Sequence, residues 1–264
     1  MREAEAASAM RKTSKTLLCL MGLIAASFAA PTPAWAGPPF VTDDPVPVDL
    51  GHWEVYGFST ATQTRGDFGG TLGAVEVNYG AAPNLQLHIM VPLAFDTRRG
   101  GSTQVGVGDV ELGAKVRLVD PGPDDWWPQI AIFPALEVPS GNAQRGLGGG
   151  ATRAYFPLWL QKDFGRWTTY GGGGFWINPG SGNRDYWFAG WLLQYQIADN
   201  FALGGELFHQ TPDAVGGTDA TGFNLGGIFD FTEHYHLLVS AGRGLQNAPD
   251  SNEFSYYLAI QWTG

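Results

Sequence analysis

The chain has 264 residues, a formal net charge of −10 at pH 7, 38 glycines and 13% aromatic residues. The excess of acidic residues argues against nucleic acid as a partner, because phosphate groups need basic side chains to bind them. Beyond the N-terminal region, no stretch approaches the roughly 18–20 apolar residues that a transmembrane helix needs.

The first 36 residues have the pattern of a secretory signal peptide. A basic region from Arg11 to Lys15 precedes an apolar run at residues 17–30, and Ala34-Trp35-Ala36 matches a cleavage site. Cleavage there removes Cys19, the single cysteine, and so excludes a disulfide, a cysteine metal site or a cysteine nucleophile. The secreted chain then folds in the periplasm, leaves the cell, or enters the outer membrane as a closed barrel.

Residues 37–50 form a proline-rich acidic N-terminal segment. Four prolines interrupt it and three aspartates make it acidic, so it is not a strand. We expect it to be a periplasmic linker. The alternative is a plug that enters the mouth of a barrel.

From residue 51 onward, apolar and polar side chains alternate with the period of β-strands. The alternation is clearest at residues 85–95, 110–118 and 253–262. Most segments are about ten residues long, as tilted transmembrane strands require. We predict twelve strands, at residues 52–64, 75–79, 85–95, 110–118, 130–138, 154–160, 167–177, 187–197, 201–207, 223–231, 235–241 and 253–262.

The connections alternate in length. Those after strands 2, 6, 8 and 10 are tight, whereas those after strands 3, 5, 7, 9 and 11 are longer, beginning with residues 96–105. Short periplasmic turns and longer outer loops are typical of membrane barrels. We therefore predict an all-β fold, an antiparallel up-and-down transmembrane β-barrel at residues 51–264, in the outer membrane with both termini periplasmic. A soluble β-sandwich is the alternative, because alternation does not tell which face points outward.

Three prolines fall inside the predicted strands, at Pro92, Pro134 and Pro157. Proline removes a hydrogen bond from the ladder between strands. Pro134 would face lipid, where no water can compensate. The strand registers near these three residues therefore stay open, with a β-bulge as one solution.

With the apolar face toward lipid, the polar face lines a lumen. Two interpretations of its charged residues stay open. They form either a constriction that selects by charge or a set of paired charges that only satisfies a polar interior, and the residues are Asp109, Glu111, Lys115, Arg117 and Arg153. Aromatic residues at Tyr155, Trp159, Tyr186 and Phe188 form either a track for aromatic solutes or simple filling. The predicted lining residues are Glu76, His88, Asp109, Glu111, Lys115, Arg117, Glu137, Arg153, Tyr155, Glu206, Asp230 and His236.

Catalysis is the competing hypothesis, since some outer-membrane barrels hydrolyse or transfer lipid acyl groups. His234, His236 and Ser240 share one strand face. However, residues four apart in a strand are roughly 13 Å apart, too far for a direct hydrogen bond. No nucleophile elbow and no third metal ligand are evident. We expect no catalytic residue, no metal and no cofactor.

Three short motifs resemble the family labelled "MetA-pathway of phenol degradation": residues 38–45, the run Glu76-Val77-Asn78-Tyr79-Gly80, and Gly108-Asp109-Val110-Glu111-Leu112-Gly113. The resemblance implies an outer-membrane transporter for aromatic compounds. We therefore expect a channel for passive uptake of small aromatic or hydrophobic solutes, with membrane lipid and the outer-membrane assembly machinery as partners. A lipid-modifying enzyme and a structural barrel without a through-path are the alternatives.

Overall fold

The computed structural model describes residues 39–122 and 125–264. The predicted signal peptide, with Gly37 and Pro38, lies outside these residues. No helix within the described ranges is long and apolar enough to cross a membrane. The helical segments there are a short 3₁₀ helix at Ala143–Arg145 and one turn of α-helix at Ala248–Ser251.

The described residues form one antiparallel sheet of twelve strands, two of them interrupted, and β1 pairs with β12 to close it into a barrel. All twelve strands predicted from the sequence are present, and the predicted fold class is confirmed. The strands are β1 (Trp53–Gln63), β2 (Asp67–Ala82), β3 (Leu85–Arg98), β4 (Gln104–Val107 and Val110–Val119), β5 (Gln129–Ile132 and Ala135–Val138), β6 (Arg153–Phe164), β7 (Trp167–Ile177), β8 (Tyr186–Ala198), β9 (Phe201–Gln210), β10 (Ala220–Asp230), β11 (Tyr235–Gln246) and β12 (Phe254–Thr263).

Along the wall, most exposed apolar side chains point out of the barrel and most polar side chains point in, although some apolar residues such as Leu192 and Trp159 are also buried inside. In β3, Leu87 and Ile89 are 48% and 41% exposed, whereas Gln86 and His88 are 4% and 8% exposed. A soluble sandwich would bury the apolar face, so that alternative is wrong. An apolar outer belt around a polar interior is the arrangement of transmembrane β-barrels, because lipid covers the outside.

The two ends of the barrel differ in their connections. At the end that we call the turn end, two residues connect β2 to β3, β6 to β7 and β8 to β9. At the loop end, the longer connections include residues 139–152, 178–185 and 211–219. The alternation predicted from the sequence is present at most connections. The exceptions are the long turn-end connection at residues 120–128 and the short loop-end connection at residues 64–66. The connection after β3 is shorter than predicted, however, because β3 extends to Arg98 and β4 already begins at Gln104.

The prolines coincide with irregularities in one part of the wall. Pro134 lies between the two parts of β5, so it does not remove a bond from a continuous ladder there. Its carbonyl accepts a hydrogen bond from the Ala114 amide at 3.1 Å. The Pro92 carbonyl accepts from the Gly108 amide, in the gap between the two parts of β4, at 2.9 Å. Pro157 stays in register opposite Gly174.

Candidate functional site: the barrel lumen

Residues 39–50, here called the inner segment, lie inside the barrel. Thr42 is 0% and Asp44 is 1% exposed. At the turn end, Leu50 forms a bridge with Gly80 and the Val48 amide donates to Gln86 Oε1 at 2.9 Å. Further into the lumen, the Ser240 hydroxyl donates to the Pro39 carbonyl. The expectation that this segment is a linker is therefore wrong, because its polar groups find their partners on the barrel wall.

Glu206 on β9 holds the far end of the inner segment. Its two carboxylate oxygens accept hydrogen bonds from the backbone amides of Val41 and Thr42, each at 2.9 Å, and Asn224 Nδ2 donates to Glu206 Oε1 at 2.6 Å. The prolines of the segment prevent it from forming regular structure, so these amides need acceptors from the wall. Glu206 is 3% exposed, and buried carboxylates are stable where such donors surround them.

The segment also approaches β8 closely at Gly190. A Cβ atom built at Gly190 would lie 2.1 Å from Thr42 Oγ1, so a larger residue there would collide with the segment. Glycine at this wall position therefore makes room for the inner segment.

Lys115 on β4 binds the acidic part of the segment. Its Nζ lies 3.1 Å from Asp43 Oδ1 and 3.6 Å from Asp44 Oδ2, and it lies 5.3 Å from the centre of the Phe133 ring. Burial raises the pKa of Asp44 to about 7, and the Lys115 charge opposes this rise. The segment and the wall are thus joined by buried ionic contacts as well as by hydrogen bonds.

The residues predicted to form a constriction bind separate partners and do not contact one another as one cluster. Lys115 binds the inner segment, Arg117 pairs with Asp120 at 2.8 Å, and Arg153 pairs with Glu137 at 2.7 Å. Asp109 accepts hydrogen bonds from the amides of Gly141 and Gly149 in the loop after β5, at 2.9 and 2.6 Å. Lys115, Arg117 and Arg153 thus each have a separate carboxylate partner, and Asp109 is bound by backbone amides.

The remaining predicted lining residues form two further clusters. His88 Nε2 lies 3.1 Å from Glu111 Oε1, and its Nδ1 lies 2.7 Å from Asn78 Oδ1 and 3.6 Å from Glu76 Oε1. On β10 and β11, His236 Nδ1 lies 2.7 Å from Asp230 Oδ1.

Aromatic rings stack near the loop end on β6, β7 and β8. Tyr155 lies parallel to Trp176 at 4.6 Å between ring centres, and Trp176 stacks on Tyr186 at 5.9 Å. The guanidinium carbon of Arg153 lies 4.8 Å from the Trp176 ring centre. Sequence reasoning missed Trp176 as a lining residue because β7 alternates poorly. Trp176 and Tyr170 are aromatic residues an even number of positions apart in β7, which places both on one strand face, and the structure buries Tyr170 inside the barrel.

A cavity of about 600 Å³ opens at the loop end and is here called the loop-end cavity. The end of the inner segment, from Pro39 to Val41, lies against it. The other sides are formed by β1 and β9–β12 and by residues of the loops 211–219 and 247–253.

Comparison with models of protein families gave no match, and comparison with curated protein sequences gave none either. Solved structures do match. The COG4313 outer membrane channel from Pseudomonas putida F1 has a TM-score of 0.67 at 18% identity, covering 87% of this chain and 100% of that chain. The NanC porin has a TM-score of 0.55 at 10% identity, covering 80% and 98%, and the KdgM porin 0.54 at 11%, covering 79% and 98%. The chain thus has the closed β-barrel fold of outer-membrane channels and porins.

Proposed function

We propose that this protein is a passive channel for small solutes in the outer membrane, narrowed from within by its inner segment. The observation that carries the proposal is the lumen itself. The wall is apolar outside, while the interior holds a short segment, many polar and charged side chains and a cavity of about 600 Å³, with only small apolar clusters between them. Eight strands give an interior that side chains fill, and sixteen or more leave a wide aqueous channel. Twelve strands therefore fit a narrow passage.

The proposal includes the orientation and the solute class. The turn end, where β1 begins and β12 ends, faces the periplasm, as in barrels with short periplasmic turns. The C-terminus lies at that end, whereas the described chain begins at Pro39 inside the lumen, beside the loop-end cavity, and this differs from the expectation that both termini are periplasmic. Assembly machinery of the outer membrane inserts the chain, and transport needs no cofactor and no energy source. The stack of Tyr155, Trp176 and Tyr186 supports small aromatic or hydrophobic solutes, as does the resemblance to phenol-degradation transporters.

We also propose that the barrel is not an enzyme. His236 Nδ1 is bonded to Asp230, and the Ser240 hydroxyl donates to the Pro39 carbonyl. These contacts give both side chains structural partners, and no nucleophile–base pair joins them.

The test is conductance of the purified, folded barrel in planar bilayers, together with solute flux into liposomes. We expect small, fluctuating conductance from the native chain and larger conductance when the inner segment is released, for example in Glu206→Ala. Heat-modifiable migration on gels controls for folding. A folded barrel that shows neither conductance nor flux, in the native chain and in Glu206→Ala, would leave the structural barrel as the better explanation.

A further inference from the structure

The charged side chains that line the loop-end cavity are of one sign. Among the described residues that line it there is no lysine, arginine or histidine, whereas Asp213 and Asp250 are both present. An anion that enters such a cavity loses hydration without a cationic partner in the lining. It meets the carboxylate of Asp213 and that of Asp250, whose ion-pair partner Arg65, 3.8 Å away, does not line the cavity. The cavity therefore disfavours anionic solutes.

Hydroxyl and amide groups are abundant in the same cavity. Thr62, Gln210 and Thr218 line it, and within the described part of the chain their side chains form no hydrogen bond. Each can donate to and accept from a neutral polar group, as threonine and glutamine side chains do. The cavity can thus hold an uncharged hydrogen-bonding solute.

Aromatic rings supply the apolar part of the cavity. Phe40 at the end of the inner segment, Phe208 on β9 and Tyr256 on β12 all line it. A volume of about 600 Å³ lies within the range of small-molecule sites, which combine apolar walls with a few polar groups. Rings in such a site pack against the flat face of a solute while the polar groups bind its edge.

We propose that the loop-end cavity is a binding site for uncharged ring-sized solutes that carry hydroxyl groups beside an apolar face, and that it discriminates against their anionic analogues. This inference rests on the proposed channel function and adds the solute charge and the place of recognition. Aromatic alcohols and monosaccharides share the required chemistry. A solute bound there contacts the end of the inner segment. The same segment therefore both narrows the lumen and forms part of the binding site.

The experiment measures binding by calorimetry to the full folded barrel in detergent at low salt, with two matched pairs of probes. The pairs are benzyl alcohol with benzoate, and glucose with glucuronate, which keeps the sugar ring and adds one carboxylate. In at least one pair we expect the anion to bind about tenfold more weakly than the neutral probe. The pair in which the neutral probe binds more tightly shows whether the site prefers aromatic alcohols or monosaccharides.

Two charge variants make the test specific to the cavity. Gln210→Lys places a cation in the lining and is expected to abolish or reverse the discrimination. Thr103→Lys adds the same charge in the connection between β3 and β4, which does not line the cavity, and is expected to preserve it. Equal binding within both pairs, no binding of either neutral probe, or equal effects of the two variants would overturn the inference.

Conductance of the same preparations separates the two proposals. A conducting barrel without discrimination in binding overturns the inference and leaves the channel. Discrimination in binding without conductance or flux overturns the channel and leaves the binding site.

Discussion

At the scale of single residues, Glu206 and Lys115 hold the inner segment in place. Glu206 accepts two backbone amides, and Lys115 pairs with two neighbouring carboxylates. Both side chains looked like ordinary lumen charges in the sequence, because strand alternation reports which face a residue occupies and not what it contacts. Their partners belong to a segment that has no periodic pattern.

Replacing Glu206 is expected to release the inner segment. In Glu206→Gln an amide group replaces one carboxylate oxygen and cannot accept the bond from a backbone amide. Loss of a bond to a charged group costs about 1.5–3 kcal/mol, which corresponds to an opening about ten to a hundred times more frequent. The measurement is thiol labelling of a Thr42→Cys reporter, since Thr42 is fully buried.

The matched control is Glu233→Gln, which changes an exposed carboxylate in the turn after β10. It should leave the labelling rate of the Thr42→Cys reporter unchanged. Equal protection of the reporter in Glu206→Gln and in its parent would contradict the role of Glu206.

Asp44 is expected to make the docking of the segment depend on pH. Burial raises the pKa of Asp44 to about 7, while Lys115 and Asp43 face the same carboxylate with opposite charges. The Asp44 carboxyl group therefore binds its proton more tightly in the docked segment than in the released segment, where an aspartate has a pKa of about 4. Docking is most stable in acid, weakens as the pH rises from about 4 to 7, and changes little above that.

Open probability in planar bilayers between pH 5 and pH 8 checks this expectation. The open probability of the native barrel should rise with pH, and Asp44→Asn should flatten the profile because it removes the titrating group. A rise of the same size in Asp44→Asn would assign the pH dependence to another residue.

At the scale of elements, the inner segment depends on the barrel for its structure. Its contacts reach β3, β4, β8, β9 and β11, and the bond between the Val41 amide and Glu206 joins residues 165 positions apart. Proximity in sequence plays no part in such contacts, so no local pattern could have predicted them. An acidic, proline-rich sequence favours a linker, and that prediction is wrong here because the contacts of the segment come from distant strands.

A disulfide between the segment and β8 is expected to lock the lumen. The Cβ position built at Gly190 lies 3.2 Å from Thr42 Cβ, slightly below the usual disulfide range of about 3.5–4.5 Å. The double variant Thr42→Cys/Gly190→Cys should form the bond without competition, since Cys19 is the single cysteine of the chain. Oxidation should lower conductance and reduction should restore it, whereas each single variant should not respond to the redox change. Equal conductance of the oxidised and reduced double variant would contradict the idea that the segment moves.

The strand breaks show another limit of local patterns. Alternation continues through Phe133 and Pro134, and the sequence therefore predicts one strand at residues 130–138. The structure divides it there, because a proline inside a ladder must leave a bond unmade or interrupt the strand. Pro134 indicates that the strand cannot be regular at this position. Whether the result is a bulge, a break or a changed register depends on the neighbouring strands.

At the scale of the whole molecule, the acidic balance of the interior predicts a preference for cations. Lys115→Glu should strengthen this preference and raise conductance, because Asp43 and Asp44 would face a third carboxylate and the segment would be repelled. Arg117→Glu is the matched control, since its partner Asp120 is half-exposed and does not belong to the segment. Conductance and reversal potential in a KCl gradient measure both effects. Unchanged selectivity in both variants would place Lys115 and Arg117 outside the ion path.

The sequence by itself determined the barrel. Period-two patterns and turn residues predict the twelve strands, their two faces and the alternation of turns and loops. These patterns are local, so they can be recognised from neighbouring residues before the fold is known. Only the tertiary structure decided what fills the lumen. The position of residues 39–50, the separate pairing of the interior charges and the loop-end cavity all depend on side chains that strand pairing and barrel closure bring together from distant parts of the chain.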